Sequence, residues 1–286
     1  LFLNDSQFST KGTLDGEMQL GIQDGTLNCK GKLLIGDVKL RRYNEVDILS
    51  SKKTSIKCRN NELLIPSTQW EYGPLIGSFR GVLPFKNRKD YDFDLSGNLR
   101  LKDDRESLLK VDAKVPISFQ NRSLHIGDLS SHIVVDSFNL KSFEPILGIP
   151  MSGNLFVDGN INGPLGSLTS LLSIGIENPQ LGIVRLQEKW EGQFSGSSKR
   201  GADFSLIPVG KALEGTLKAK INPDLSLASL VLKRLGGELL LSKTVDGYLW
   251  NASNFRLDRF EVATPKNSFG FQRIFGKLIG QGKINL

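Results

Sequence analysis

The chain has 286 residues, 39% hydrophobic and 23% charged, with a formal net charge of +7. That balance excludes a disordered chain, and the lack of any run of about eighteen apolar residues excludes a membrane-spanning helix. Lysines and arginines are interleaved with acids, as in KNRKDYDFD over 86–94. This dispersed pattern argues against nucleic acid as a partner and leaves weak attraction to anionic head groups open.

In chain order, the opening LFLNDS holds neither a methionine nor an apolar leader, as expected of a piece cut from a longer protein. Cys29 and Cys58 are too few for a disulfide framework. One bridge is open if their strands are neighbours, and two buried thiols are the plainer expectation. YDFDLSGNLRLK puts Phe93 and Leu95, then Leu99 and Leu101, on one side of a strand. SLLKVDAKVPISFQ (107–120) alternates most strictly. Leu109, Val111, Ala113, Val115, Ile117 and Phe119 fall on one face, with Lys110, Asp112, Lys114, Pro116 and Ser118 between them.

SFNLKSFEPILGIP (137–150) is the best candidate for a short helical turn, and a sub-boundary is placed near 137–152. GNLFVDGNING (153–163) aligns Leu155, Val157, Gly159 and Ile161. LLSIGIEN aligns Leu172, Ile174 and Ile176, and GTLKAKIN aligns Leu217, Ala219 and Ile221 opposite Lys218 and Lys220. Turn residues recur about every ten positions, at Asp24-Gly25, Asn60-Asn61, Asn121-Arg122, Asn222-Pro223-Asp224 and Asp246-Gly247. The spacing predicts an all-β chain of roughly twenty or more short strands.

No constellation for catalysis emerges. His125 and His132 have no carboxylate or cysteine at metal-ligand spacing, no phosphate-binding glycine loop occurs, and the serine in GQFSG lacks the spacing of a nucleophile elbow. The expectation is a non-enzymatic chain with no cofactor and no metal. On pattern alone, the alternating faces suit two sheets packed as a sandwich around a dry core.

Two stretches point elsewhere. LKSFEPILGIPMSGNLFVDGNINGPLGSLTSLLSIGIENPQLG (140–182) carries Gly153, Gly159, Gly163, Pro164 and Asn178-Pro179. GYLWNASNFRLDRFEV (247–262) carries Trp250, Asn254, Phe255, Leu257 and Phe260, and Gly276, Gly280 and Gly282 follow it. Together they resemble the TamB branch of the AsmA-like superfamily, in the form found in photosynthetic bacteria and plastids, over about a third of the chain. The resemblance implies a long β-sheet curled lengthwise into a trough (a β-taco) with an apolar concave face, residues 1–286 forming one continuous segment of it. It further implies that phospholipid moves along this groove between the inner and outer membranes, in support of outer-membrane biogenesis.

The implied location is the periplasm or plastid intermembrane space, with an inner-membrane anchor and an outer-membrane β-barrel partner of the Omp85 type, both reached through regions outside this chain. The alternative is an envelope-spanning scaffold or chaperone acting by strand addition. On the trough reading the groove is lined by Leu109, Val111, Val115, Ile117, Phe119, Leu155, Val157, Ile161, Leu172, Ile174, Ile176, Leu217 and Ile221. Lys110, Asp112, Lys218 and Lys220 would keep the other face wet. An acyl chain gains about 0.8 kcal/mol per buried methylene, so an uninterrupted apolar lining holds a tail without a specific pocket.

Overall fold

A computed structural model describes residues 8–23, 26–42, 47–51, 53–59, 61–73, 75–85, 90–102, 108–120, 123–144, 150–210, 214–224, 226–263 and 271–285. These residues form antiparallel β-strands and one 3-10 turn, Leu140–Phe143. The expected all-β class is what the chain adopts. It divides into two compact units, residues 1–133 with 162–165, and residues 134–161 with 166–286. Within each unit the strands belong to one sheet, so the two-sheet sandwich is not the arrangement.

The first unit holds β1 (Phe8–Gln23), β2 (Thr26–Arg42), β3 (Asp47–Ser51), β4 (Thr54–Arg59) and β5 (Glu62–Tyr72). It continues with β6 (Leu75–Pro84), β7 (Asp90–Leu101), β8 (Leu108–Gln120) and β9 (Ser123–Ile126). β1 pairs with β2, which is flanked in turn by β3 and β4. Both of these meet β5, and a meander from β5 through β9 follows.

Alternation sends Leu83 and Tyr91 to one face, where they bury with Phe85 and Cys58. The Phe85 and Tyr91 rings meet edge-on, 5.6 Å between centroids. On the same face the Trp70 ring lies over Gly77, where a β-carbon would overlap it. On the other face Lys114 reaches Asp92 at 3.4 Å and Asp94 at 3.9 Å. These are exposed pairs worth at most about 1 kcal/mol.

Cys29 and Cys58 form a disulfide, which corrects the expectation of two thiols. The register explains it. Cys58 pairs with Gly31, so Cys29 stands two residues along the neighbouring strand, on the same face, with the Cα atoms 5.6 Å apart. The bridge closes a loop of sequence separation 29. Its reduction is expected to cost the first unit about 2–4 kcal/mol, read as a lower urea midpoint in the presence of reductant.

β10 (Leu129–Asn139) and β11 (Met151–Gly163) each carry residues of both units. After β10, the Asn139 side chain accepts from the Lys141 N–H at 3.0 Å and caps the 3-10 turn. The expected helical turn is therefore four residues long, and 145–149 lie outside the described residues. His125 and His132 stand exposed on separate strands, β9 and β10.

The second unit continues with β12 (Thr169–Leu181), β13 (Val184–Leu186), β14 (Lys189–Ser197), β15 (Gly201–Pro208), β16 (Gly215–Ile221) and β17 (Leu227–Arg234). Then come β18 (Gly237–Thr244), β19 (Gly247–Arg256), β20 (Phe260–Ala263), β21 (Phe271–Arg273) and β22 (Lys277–Asn285). One run of pairings follows β12, β14, β15, β16, β17, β18, β19 and β22. A second leaves β12 through β13 to β20 and β21.

The turn from β19 into β20 therefore joins the far end of the first run to the second, and the sheet curls back on itself. Glu188 and Arg234 prove the curl. They sit at the ends of strands three spacings apart, roughly 14 Å in a flat sheet, yet their side chains are hydrogen-bonded. The closure is fastened by Glu261, which takes the Arg185 guanidinium on β13 and lies 3.7 Å from Arg273 on β21.

Candidate functional site

The apolar face of the second unit can be followed strand by strand from the register. One row runs Ile174, Gly192, Leu206, Leu217, Leu232, Leu239, Ala252, Gly280. The next runs Leu172, Phe194, Phe204, Ala219, Leu230, Leu241, Trp250, Gly282. Beyond it lie Ser170, Gly196, Ala202, Ile221 and Leu227. No charged residue interrupts the first two rows across eight strands; beyond Leu227, β18 turns Lys243 to this same face. Large residues face small ones within it: Trp250 covers Gly282, whose added β-carbon would come within 2.6 Å of the indole nitrogen.

The band is not uniformly covered. At the β19–β20 end Trp190, Leu206 and Phe255 are 3%, 2% and 1% exposed, sealed by Leu257, Phe260 and Leu278. Phe255 and Phe260 stack tilted, 5.8 Å apart. Towards the other side the cover thins. Leu172, Phe194, Phe204, Leu230, Leu241 and Trp250 are half-buried, as are Ile221 and Leu227. A face with a sealed floor and a half-open upper part can accept apolar material along its length.

Each expected groove residue takes a definite place. On β8, Leu109, Val111, Val115 and Ile117 are half-buried and oppose Leu99, Gly97, Phe93 and Tyr91 on β7. The side chain of Phe119 lies outside the described residues. Leu155, Val157 and Ile161 on β11, Leu172, Ile174 and Ile176 on β12, and Leu217 and Ile221 on β16 are half-buried too. The β12 and β16 sets join the same band, and Ile174, Ile176 and Leu217 pack against its sealed floor. Lys110, Asp112, Lys218 and Lys220 are exposed, alternating with the apolar positions.

The opposite face has its own relief. A groove of about 570 Å³ runs over β10, β11, β12 and β14 and includes Val157 and Ile174 in its wall. The side chains meeting above it are Phe156, Lys189 and Glu191, with Phe156 resting over Gly175. The Lys189 amine lies 2.9 Å from Glu191, 3.3 Å from Glu177 and 5.6 Å from the Phe156 ring centroid. Hydrogen bonds to Glu191 and then Glu177 hold its pKa above the ordinary lysine value. Because Lys189 is fully engaged and the wall is acidic, this groove suits no anion.

Sequence reasoning missed the polar group at the sealed floor. Arg234 donates through Nη1 to Glu188 Oε2 at 3.1 Å and through Nη2 to Oε1, while Arg259 Nε lies 3.6 Å from the same carboxylate. Nothing in either local pattern signals a partner 46 residues away. Among the described residues, no group of three or more histidine, cysteine or acidic side chains could hold a metal.

Comparison of the chain with protein-family models, with curated proteins and with solved structures returns no match.

Proposed function

We propose that the chain is a section of a non-enzymatic, bridge-like lipid carrier of the TamB and AsmA-like kind, holding phospholipid acyl chains on its apolar face between two membranes. The observation that carries this reading is the pair of neighbouring charge-free rows across eight strands, half-buried over much of their length. A sheet that used this face only for its own core would bury it throughout, as it does at Phe255. Neighbouring rows differ little in polarity, so a tail meets no deep minimum and can slide.

The test is binding of a fluorescent phospholipid. A charge at Ile221, by Ile221→Asp, is expected to weaken binding at least tenfold, since a buried carboxylate must be neutralised or left facing hydrocarbon. Lys220→Asp, one residue along on the wet face, is expected to leave it unchanged. Equal binding by both variants would defeat the reading.

A scaffold acting by strand addition is the second reading. It is favoured by large apolar side chains on β1 and near β22, strands with one described partner each. Leu14 and Leu20 are 69% and 62% exposed, and Phe275 and Ile279 are 73% and 70% exposed. Such exposure is uncommon on a finished surface.

A further inference from the structure

The half-open side of the apolar face ends in a polar cluster. On β18, Lys243 follows Leu239 and Leu241, and on β19 its register partner Tyr248 stands two residues from Trp250. Both therefore belong to the apolar face, at the strand ends where Ile221 meets Leu227. The Tyr248 hydroxyl donates to the Leu227 carbonyl at 3.0 Å, two strands away, so the phenol lies across β18 beside Lys243.

The Lys243 amine donates to Ser226 Oγ at 2.6 Å and lies 3.8 Å from Asp224 Oδ2. Asp224 Oδ1 accepts from the Ser226 hydroxyl at 2.6 Å and from the Ser226 N–H at 2.9 Å. Those bonds, the hydroxyl first, hold the Asp224 carboxyl below its ordinary pKa. An ammonium has more donors than Ser226 uses, and a carboxylate more lone pairs than it gives up here. With side chains 39% and 65% exposed, the pair contributes little to the fold and can still meet a ligand.

Its position is what distinguishes it. Lys283 and Asp246 make a similar pair at 3.2 Å at the same strand ends, but Lys283 pairs with Leu249, on the wet face. Lys243 and Asp224 instead border the rows on which acyl chains would lie.

We infer that Lys243, Asp224 and Tyr248 form the head-group position of the lipid face, and that the head group it fits is zwitterionic. The phosphate meets Lys243, and an ammonium one short linker away meets Asp224. A head group with a phosphate and no ammonium would set its charge against Asp224. The tails then run over Ile221 and Leu227 towards the half-buried Leu230, Leu241 and Trp250. This assignment rests on the lipid-carrier reading.

The experiment titrates the full chain by calorimetry with short-chain phosphatidylethanolamine and, separately, with short-chain phosphatidylglycerol. The first is expected to bind severalfold tighter. Lys243→Gln, which keeps the stem, should weaken both by about fivefold. Asp224→Asn keeps an oxygen for the Ser226 N–H, and should weaken the ethanolamine lipid while tightening the glycerol lipid. Lys283→Gln, on the wet face, should change neither.

Two lipids that bind equally, with affinities unmoved by Lys243→Gln and Asp224→Asn, would overturn the head-group position and leave the carrier reading standing. A chain that binds neither lipid would overturn both.

Discussion

Replacing Glu188 by alanine is expected to destabilise the second unit by about 3–5 kcal/mol. Arg234 retains only 4% of its side-chain exposure and Glu188 1%, so the variant strands a guanidinium in a dry site. It also removes two hydrogen bonds and leaves Arg259 without its partner at 3.6 Å. For a unit of this size the melting temperature should fall by roughly ten degrees.

The control is the double variant Glu188→Leu with Arg234→Met, which removes both charges and keeps the volume. It is expected to lie within about 1 kcal/mol of the parent, since a buried pair contributes little over an apolar replacement. If Glu188→Ala alone cost less than about 1 kcal/mol, the pair would be solvated and the curl joining β14 to β17 looser than described.

Phe255→Ala is the second large effect, about 3–5 kcal/mol by loss of transfer energy and the cavity left behind. Its ring is 1% exposed, follows the irregularity between Ala252 and Phe255 in the pairing of β19 with β22, and packs on Phe260. The informative comparison is Phe204→Ala in the half-open row. An equally large ring there is expected to cost less than half as much, because part of its surface already meets solvent. Urea unfolding of the two variants reads the difference directly. Equal losses would mean that the band is closed along its whole width and has no room for a ligand.

Much of the strand plan was legible in the residues because a period of two needs only local information. Lys110, Asp112 and Lys114 alternate with Leu109, Val111, Ala113 and Val115 in the sequence, and the structure exposes the first set and half-buries the second. The charges of YDFD likewise become the outer-face partners of Lys114. What local pattern cannot carry is register between distant segments. The bond between Cys29 and Cys58 depends on Cys58 meeting Gly31, and the meeting of Glu188 with Arg234 depends on three successive pairings and a curl. Alternation also says which residues share a face but not how much of that face is covered. Ile174, Leu217, Phe204 and Leu230 all pack half-buried against the cluster of Trp190, Leu206 and Phe255, while Leu172 and Phe194 do not join it, a difference set by where Leu257 and Phe260 fold over.

The most direct measurement is native mass spectrometry of the purified chain, with extraction and identification of lipid from the same preparation. Phospholipid is expected to be bound in stoichiometric amounts and to be lost from folded Val115→Asp and Ile221→Asp variants, whose side chains stand on the apolar faces of the first and second units. A folded, monodisperse chain that carries no lipid and takes up none when it is offered would overturn the lipid-carrier function, and the apolar faces would then serve the sheet alone.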